Sequence, residues 1–558
     1  MVSDMTTPDA RAGKTTHAVP RWMGALAGMA AAAVALGFSQ FIEGATDIPG
    51  LVLGVGELII DYTPGWAAEE SIENLGSAGK GNLLRGITII TFLTAALLGD
   101  QSARHTRKIG IWSFVAFGLL GGWATARNPQ SHAGGSWFWA LVATALGIAT
   151  LVVFVSRARA SVTAPGEPIG SNTDVLASPL VPPASRRSFL GFSAGAGAVA
   201  LTGVALGRGI EGESAAEIAR ANITLPSTTT TERVQASTTT AQAPIARLTA
   251  SGDVSAAEYA GIDGLPSWVT PSVGDSFYRI DTALQLPQVD PADWTLRITG
   301  MVDNPLELTY DDLLAMDLVE HTITLSCVSN SVGGDLVGNA VWTGIPLIDL
   351  LEQAGVQQGA TQLVGRSVDD FTAGFPTEVL YDGRNALLVV GMNGEPLPVR
   401  HGFPARLVIA GLYGYVSATK WLEEINLTTW EDFNGYWINL GWSKEGPMKT
   451  MSRIDVPRHR ERLESGTQML AGVAWAPNRG ISAVEVSIDE GEWQLCDLAV
   501  PGTDESWVQW KVEWDANPGT HRIDVRAFDG EGVLQPKGPA DVAPDGAEGW
   551  HAVLVEVV

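Results

Sequence analysis

The chain has 558 residues, 46% of them hydrophobic, with a formal net charge of -26 and a pI near 4.6. That length predicts two to four domains, and the acidic balance argues against nucleic acid as a partner, because phosphate contacts need a basic surface. Two cysteines, Cys327 and Cys496, exclude a disulfide framework and a four-cysteine iron–sulfur site.

Four runs are long enough to cross ~30 Å of hydrocarbon, which takes about 20 residues: Trp22 to Phe41, Leu83 to Leu98, Ile109 to Ala126 and Trp137 to Val155. A fifth apolar patch, Leu51 to Asp61, is too short and holds Glu57 and Asp61, so it reads as an interfacial or re-entrant piece. Basic residues fall in three groups. Arg11, Lys14 and Arg21 precede the first span; Arg104, Arg107 and Lys108 separate the second from the third; Arg157, Arg159, Arg186 and Arg187 follow the fourth. The positive-inside rule places all three in the cytoplasm only if four spans precede Arg186. Phe189 to Leu206 is then a fifth span running outward. With Arg186 and Arg187 just before it, "SRRSFLGFSAGAGAVALTG" has the form of a twin-arginine export signal. Residues 1–207 are therefore expected to be a multi-span α-helical membrane domain, with everything past Arg208 on the extracytoplasmic side. No histidine lies inside a span, so no membrane haem is expected.

Residues 208–252 include "TLPSTTTTERVQASTTTAQAP", which cannot bury a core and reads as a flexible Thr-rich linker. Residues 253–445 mix strand and helix signals. "WTLRITG", "HTITLSC" and "ARLVIAG" alternate as strands, "YDDLLAM" opens as a helix with acidic residues in its first turn, and "PLIDLLEQAG" has Pro at its start and Gly at its end. This is an α+β pattern. Within 446–558, six short strand-like runs from about Gly466 onward are separated by turn clusters such as "PNRG" and "DANPG", which predicts an immunoglobulin-like β-sandwich. Cys496 is expected there as an inert, partly buried strand residue.

Cys327 ends a strand and enters "CVSNSVGGD", a loop whose small residues expose backbone N–H groups and allow a ligand close approach. Three readings are open: a small core residue; the nucleophile of a cysteine hydrolase, which needs a base such as His321 or His401; or a soft thiolate metal ligand.

Three segments carry a resemblance. "LSCVSNSVGGDLVGNAVWTGIPL" resembles the cysteine loop of the sulfite-oxidase-like molybdopterin enzymes. "MNGEPLPVRHGFPARLVIAGLYGYVSATKWLEEINL" resembles their cofactor-binding segment, and "DSFYRIDTALQLPQVDPADWTLRITGMVDNPLELTYDDL" their opening strand and helix. The resemblance runs from about Phe277 to Val558 and implies a sulfite-oxidase-like molybdopterin-binding domain followed by a dimerisation domain. It implies Cys327 as the molybdenum ligand beside one pyranopterin. It also implies His401, Arg406 and Lys420 as cofactor contacts, Arg279 and Asp281 lining the cofactor and substrate pocket (Arg279 as a catalytic residue), and Asn330 as a local partner of Cys327. The chain departs from sulfite oxidase in two ways: no tyrosine stands within Asp370 to Ala373, where that enzyme has one, and membrane spans rather than a cytochrome domain precede the catalytic part.

The resulting expectation is a membrane-anchored, extracytoplasmic molybdenum oxidoreductase. It would carry out oxygen-atom transfer on a small substrate that includes sulfur compounds. A separate electron donor or acceptor and a homodimer through the C-terminal domain are implied. The competing reading is a non-catalytic surface-displayed binding protein on the same scaffold.

Overall fold

The computed structural model describes residues 19–46, 48–65, 67, 70–71, 79–129, 131–163, 186–210, 215–228, 256–272, 276–500 and 503–558. The chain divides into two compact units, Met1–Tyr62 with Lys80–Gly212, and Thr63–Gly79 with Glu213–Val558.

The first unit is helical: α1 (Arg21–Ala45), α2 (Leu51–Asp61), α3 (Gly79–Arg104), α4 (Arg107–Ala126), α5 (Ala133–Thr163) and α6 (Arg186–Ile210). All but α2 are long and apolar enough to cross a membrane. The five expected spans thus appear as helices, each extending past its apolar run, while Leu51–Asp61 forms a helix of 11 residues, too short to cross. Small residues set the packing. A Cβ on Gly28 would strike the Ala95 carbonyl of α3, and one on Gly37 would meet Ala200 of α6 at 2.7 Å. Phe189 of α6 is fully buried, edge-on to Trp22 and Phe154 at 5.9 and 5.7 Å. Arg159 closes the end of α3 by donating to the carbonyls of Ser102 and Ala103 at 2.7 and 2.9 Å. Arg11, Lys14 and the Thr-rich stretch from 229 lie outside the described residues.

The second unit opens with α7 (Ala215–Ala221), part of the stretch expected to be linker. Ala216 is buried in the core of the α+β part, and Ile223 and Leu225 pack against that core. Arg220 donates to the carbonyls of Pro396 and Leu397 at 3.0 and 2.9 Å. Within the expected 208–252 linker, residues 215–228 thus form a strap held by apolar burial and charge-assisted bonds.

Two sheets build the α+β part. In one, β1 (Thr295–Gly300), β2 (Leu306–Thr309), β5 (Gln362–Ser367), β6 (Thr372–Pro376) and β10 (Leu422–Thr428) run in the order β2-β1-β10-β5-β6, with β1 and β10 parallel. In the other, β3 (Val319–Ser326), β4 (Val337–Pro346), β7 (Ala386–Met392) and β8 (Glu395–Pro396) run in order, with β9 (Arg406–Ile409) also on β7. β4 lies between β3 and β7 and is buried almost throughout, as a central strand covered on both faces must be. Its Trp342 is fully buried and donates to the Ile323 carbonyl of β3 at 3.0 Å. The predicted helices appear as Tyr310–Leu314, started by a Thr309/Asp312 capping box, and Leu347–Ala354, ended by Gly355 at φ 66°.

Past Gly446 two further sheets pack face to face. One contains β11 (Met451–Val456), β13 (Gly466–Trp475), β16 (Asp497–Leu498) and β17 (Val508–Ala516). The other contains β12 (Arg462–Leu463), β14 (Ile481–Ile488), β15 (Gln494–Leu495), β18 (Gly519–Asp529) and β19 (His551–Val557). Leu470, Val486, Trp510, Ile523 and Val553 from both sheets fill one core. Cys496 differs from expectation: it lies between β15 and β16 rather than within a strand, and it is fully buried in that core. The boundary expected at 445 is not clean, because Val473, Trp475 and Trp507 join the core of the α+β part.

Candidate active site

β3 delivers its chain to Cys327, and β4 takes it away ten residues later. The neck of this loop is closed by Cys327 N–H donating to the Leu336 carbonyl at 2.9 Å. Asn330 folds the interior: its N–H donates to the Cys327 carbonyl at 3.1 Å, and its Oδ1 accepts from Leu336 N–H at 2.9 Å. Asn330 is therefore a backbone partner of Cys327, while Ser329 Oγ sits 2.9 Å from the Cys327 sulfur. Cys327 is 9% exposed. Burial pushes its thiol up, opposed by Ser329 and by the Lys420 charge. Such a thiol stays protonated until a cation takes the proton's place.

The second segment is set by a tight turn. Val399–His401 forms one 3-10 turn that ends at Gly402, φ 112°. A Cβ there would press on the side chains of Lys420 and Arg406 at 3.0 and 3.2 Å, so glycine lets the two cations close around His401. Arg406, the first residue of β9, is buried; its Nη1 donates to the His401 carbonyl at 3.0 Å and its guanidinium lies 5.1 Å from the Trp342 ring. Lys420 is buried too, and its Nζ donates to Asp281 Oδ2 at 2.9 Å. Arg279 Nε reaches the same carboxylate oxygen at 3.1 Å.

The electrostatics are lopsided. Burial holds His401 down at about 3, helped by the charges of Arg406, Lys420, Arg400 and Arg279. Its imidazole is neutral, and its Nε2 is buried with no hydrogen-bond partner among the described residues. Burial lowers Arg406 to about 10 and Lys420 to about 8, the latter despite Asp281. Four cations therefore bear on one neutral histidine; Arg279 and Lys420 share the carboxylate of Asp281, and Asp369 also lies in the field of Lys420. Buried Arg406, bonded to carbonyl oxygens and set beside a ring, suits an anionic ligand, and an orphaned ring nitrogen suits one with polar edges.

Of the residues singled out in the sequence, Arg279, Asp281 and Lys420 form one contiguous cluster, and His401 and Arg406 adjoin it through a direct bond and shared charge. Cys327 is tied to them through the field of Lys420. Three further residues were missed. Tyr278 stacks on Phe277 at 5.3 Å, and its phenol is raised by burial and by Cys327. Tyr413 is raised to about 12 by burial and also feels Cys327. Arg400 acts on His401. Tyr278 and Arg400 are sequence neighbours of Arg279 and His401, a signal that was readable; nothing local marks Tyr413.

The hydrolase reading lacks its geometry. His321 is six strand positions before Cys327, about 20 Å away at ~3.3 Å per residue, and the bond recorded for the Cys327 sulfur goes to Ser329. Among the described residues no group of three or more His, Cys, Asp or Glu could hold a metal ion. A metal on Cys327 must bring its other ligands with it.

Residues 283–437 match the model of the oxidoreductase molybdopterin binding domain, and residues 445–557 match that of the Mo-co oxidoreductase dimerisation domain. The chain is 29% identical over 316 residues to inducible nitrate reductase (NADH) 2 of Glycine max, covering 45% of this chain and 35% of that protein. It is 29% identical over 330 residues to mitochondrial sulfite oxidase of Homo sapiens, covering 49% and 59%. The matches thus span about a third to three fifths of these relatives. The sulfane dehydrogenase SoxCD structure from Paracoccus pantotrophus aligns at TM-score 0.46 and 22% identity, covering 53% of this chain and 82% of that one.

Proposed function

The chain belongs to the sulfite-oxidase-like family of molybdopterin-dependent oxidoreductases, and from that premise we propose that it is a membrane-anchored molybdenum enzyme whose catalytic unit works on the extracytoplasmic face. The observation that carries the reading is the convergence of the buried Cys327 thiol, the buried cations Arg406 and Lys420 and the orphaned Nε2 of His401. Cys327 is the thiolate ligand. Arg406 and Lys420 hold the cofactor's anionic end, and His401 Nε2 accepts from or donates to its polar ring edge according to tautomer. When bound, the molybdenum cofactor supplies two-electron redox chemistry suited to oxygen-atom transfer. The protein's part is to seat the metal against a fixed thiolate, exclude bulk water and orient a small substrate, sulfur compounds included. Arg279, 30% exposed and anchored on Asp281, is the cation best placed to meet substrate at the mouth.

The terminal β domain is read as immunoglobulin-like and as the surface through which two copies pair. The five apolar helices anchor the chain, and Arg186 and Arg187 pass the folded, cofactor-loaded unit to a twin-arginine exporter. A separate molecule exchanges electrons with the site.

Elemental mass spectrometry on the purified full chain tests the reading. About one molybdenum per chain is expected, sharply reduced in Arg406→Ala. Cys327→Ser is expected to keep its fold and lose turnover, because a hydroxyl does not replace a soft thiolate. No molybdenum from a host that makes the cofactor would leave the competing reading, a surface-displayed binding module.

A further inference from the structure

The Cys327 loop is gripped from outside its own sheet. Arg453 lies on β11, the first strand of the β domain, with its side chain 9% exposed. Its Nε donates to Asp455 Oδ1 at 2.8 Å, and its Nη1 donates to the Gly334 carbonyl, in the middle of the Cys327 loop, also at 2.8 Å. The pairing of β11 with β13 slips between Ile454 and Val456, so Asp455 is the extra residue of a β-bulge. Bulges re-aim side chains, and here the carboxylate ends up holding the guanidinium that reaches across. A second contact comes from β19. The ring of His551, whose Nδ1 accepts from Ile454 N–H at 3.0 Å, fills the space beside Gly333. Gly333 has φ 76°, and a Cβ there would strike the imidazole.

Two consecutive loop residues are thus fixed by side chains more than a hundred positions away. Within the loop, the closing bonds around Asn330, the Ser331–Gly334 turn and the Ser329 contact with the Cys327 sulfur hold its first half, and Val328 and Val332 pack on the core. The two glycines that follow have no side chain to anchor them, so their placement leans on the outside contacts. We propose that Arg453, held by Asp455, is a positioning residue of the active site: the β domain uses it to set the Cys327 loop and so fix where the thiolate is presented. This deepens the molybdenum reading and rests on it for its catalytic meaning. The brace also makes the site depend on a domain that no sequence motif connects to it.

The test uses the full-length chain in detergent, comparing wild type with Arg453→Met and Arg453→Lys. Amide hydrogen exchange over 328–336 and alkylation of Cys327 are followed in cofactor-free protein, beside the melting temperature and the Mo(V) paramagnetic resonance of loaded protein. In Arg453→Met, exchange and alkylation are expected to rise about tenfold, the scale set by loss of one buried charge-assisted bond, with the melting temperature little changed and the resonance altered. Arg453→Lys, which keeps the charge, is expected to recover part of both. A folded Arg453→Met protein with wild-type loop exchange and wild-type alkylation overturns the proposal. If Arg453→Met does not fold, Asp455→Asn, which leaves the packing and loosens the guanidinium, is read by the same two measurements. Absence of molybdenum in the wild type would remove the functional reading, while loop exchange in cofactor-free protein would still decide the brace.

Discussion

At the scale of single residues, the site is a buried charge cluster. Asp281, its side chain 4% exposed, is the carboxylate shared by Lys420 and Arg279. Removing one member of a buried ion pair costs about 3 kcal/mol or more, because the survivor stays desolvated. Asp281→Asn is therefore expected to lower the melting temperature by several degrees. Lys420 already sits near 8 with Asp281 present, and without that carboxylate its value falls further. A lysine held below its ordinary value costs stability where the folded form must carry the proton, so the penalty should be largest near pH 6 and shrink toward pH 9 as Lys420 sheds its charge. It should also be smaller in cofactor-loaded protein, where a bound anion replaces the missing carboxylate. Thermal melting of both forms at several pH values checks this; a penalty that ignores both pH and loading would mean Lys420 is not the group left exposed. Cys327, His401, Arg406 and Lys420 were readable in sequence because each sits in a quoted motif. Ser329 and Tyr413 lie in the same quoted segments, but their roles were not readable, since these come from what the fold brings beside the sulfur.

At the scale of elements, the strands and helices with clear periodicity were legible. "PLIDLLEQAG" carries Pro at its entrance and Gly at its exit, and it forms its helix between them. What alternation cannot reveal is an element that finds its partner far along the chain. The stretch Thr503 to Trp507 of the β domain is such a case. It docks on the edge of β3: Thr324 N–H donates to the Glu505 carbonyl at 3.0 Å, and Trp507 N–H donates to Thr324 Oγ1 at 2.7 Å. It covers the free edge of the strand that ends at Cys327. Glu505 anchors it, accepting from Asn385 N–H and Nδ2 at 2.7 and 2.8 Å, and burial raises its carboxyl to about 7. The folded value lies above the ordinary 4.5, so the folded state holds the proton more tightly. Its stabilising contribution is complete below about pH 4.5 and lost as pH rises through 7. Melting temperatures across pH 5 to 8 should show wild type losing about 2 kcal/mol relative to Glu505→Gln over that window. A constant difference between the two proteins would assign the docking to backbone bonds alone.

At the scale of the whole molecule, the question is how a helical unit and an acidic catalytic unit come to share one chain. All the net negative charge falls past residue 212, while the basic residues of the first unit cluster in the segments between its apolar helices. The positive-inside rule counts those basic residues and underlies the outward orientation proposed above, but it does not say how the second unit would cross. The catalytic core draws on Ala216, on strands from 295 to 428 and on Trp507. On the export reading proposed above, a core assembled over that much chain must be complete before the unit leaves the cytoplasm with its cofactor. Arg186 and Arg187 open α6, the last of the five apolar helices before this unit. Replacing both with lysine keeps their charge and hence the anchoring role. It removes the guanidinium pair that a twin-arginine exporter reads. Protease added to intact spheroplasts should then cut the catalytic unit of the wild type and spare that of the lysine pair, with both proteins still in the membrane fraction. Equal cleavage of the two would make the arginines a simple charge anchor, and the catalytic unit would have to cross unfolded and acquire its cofactor outside.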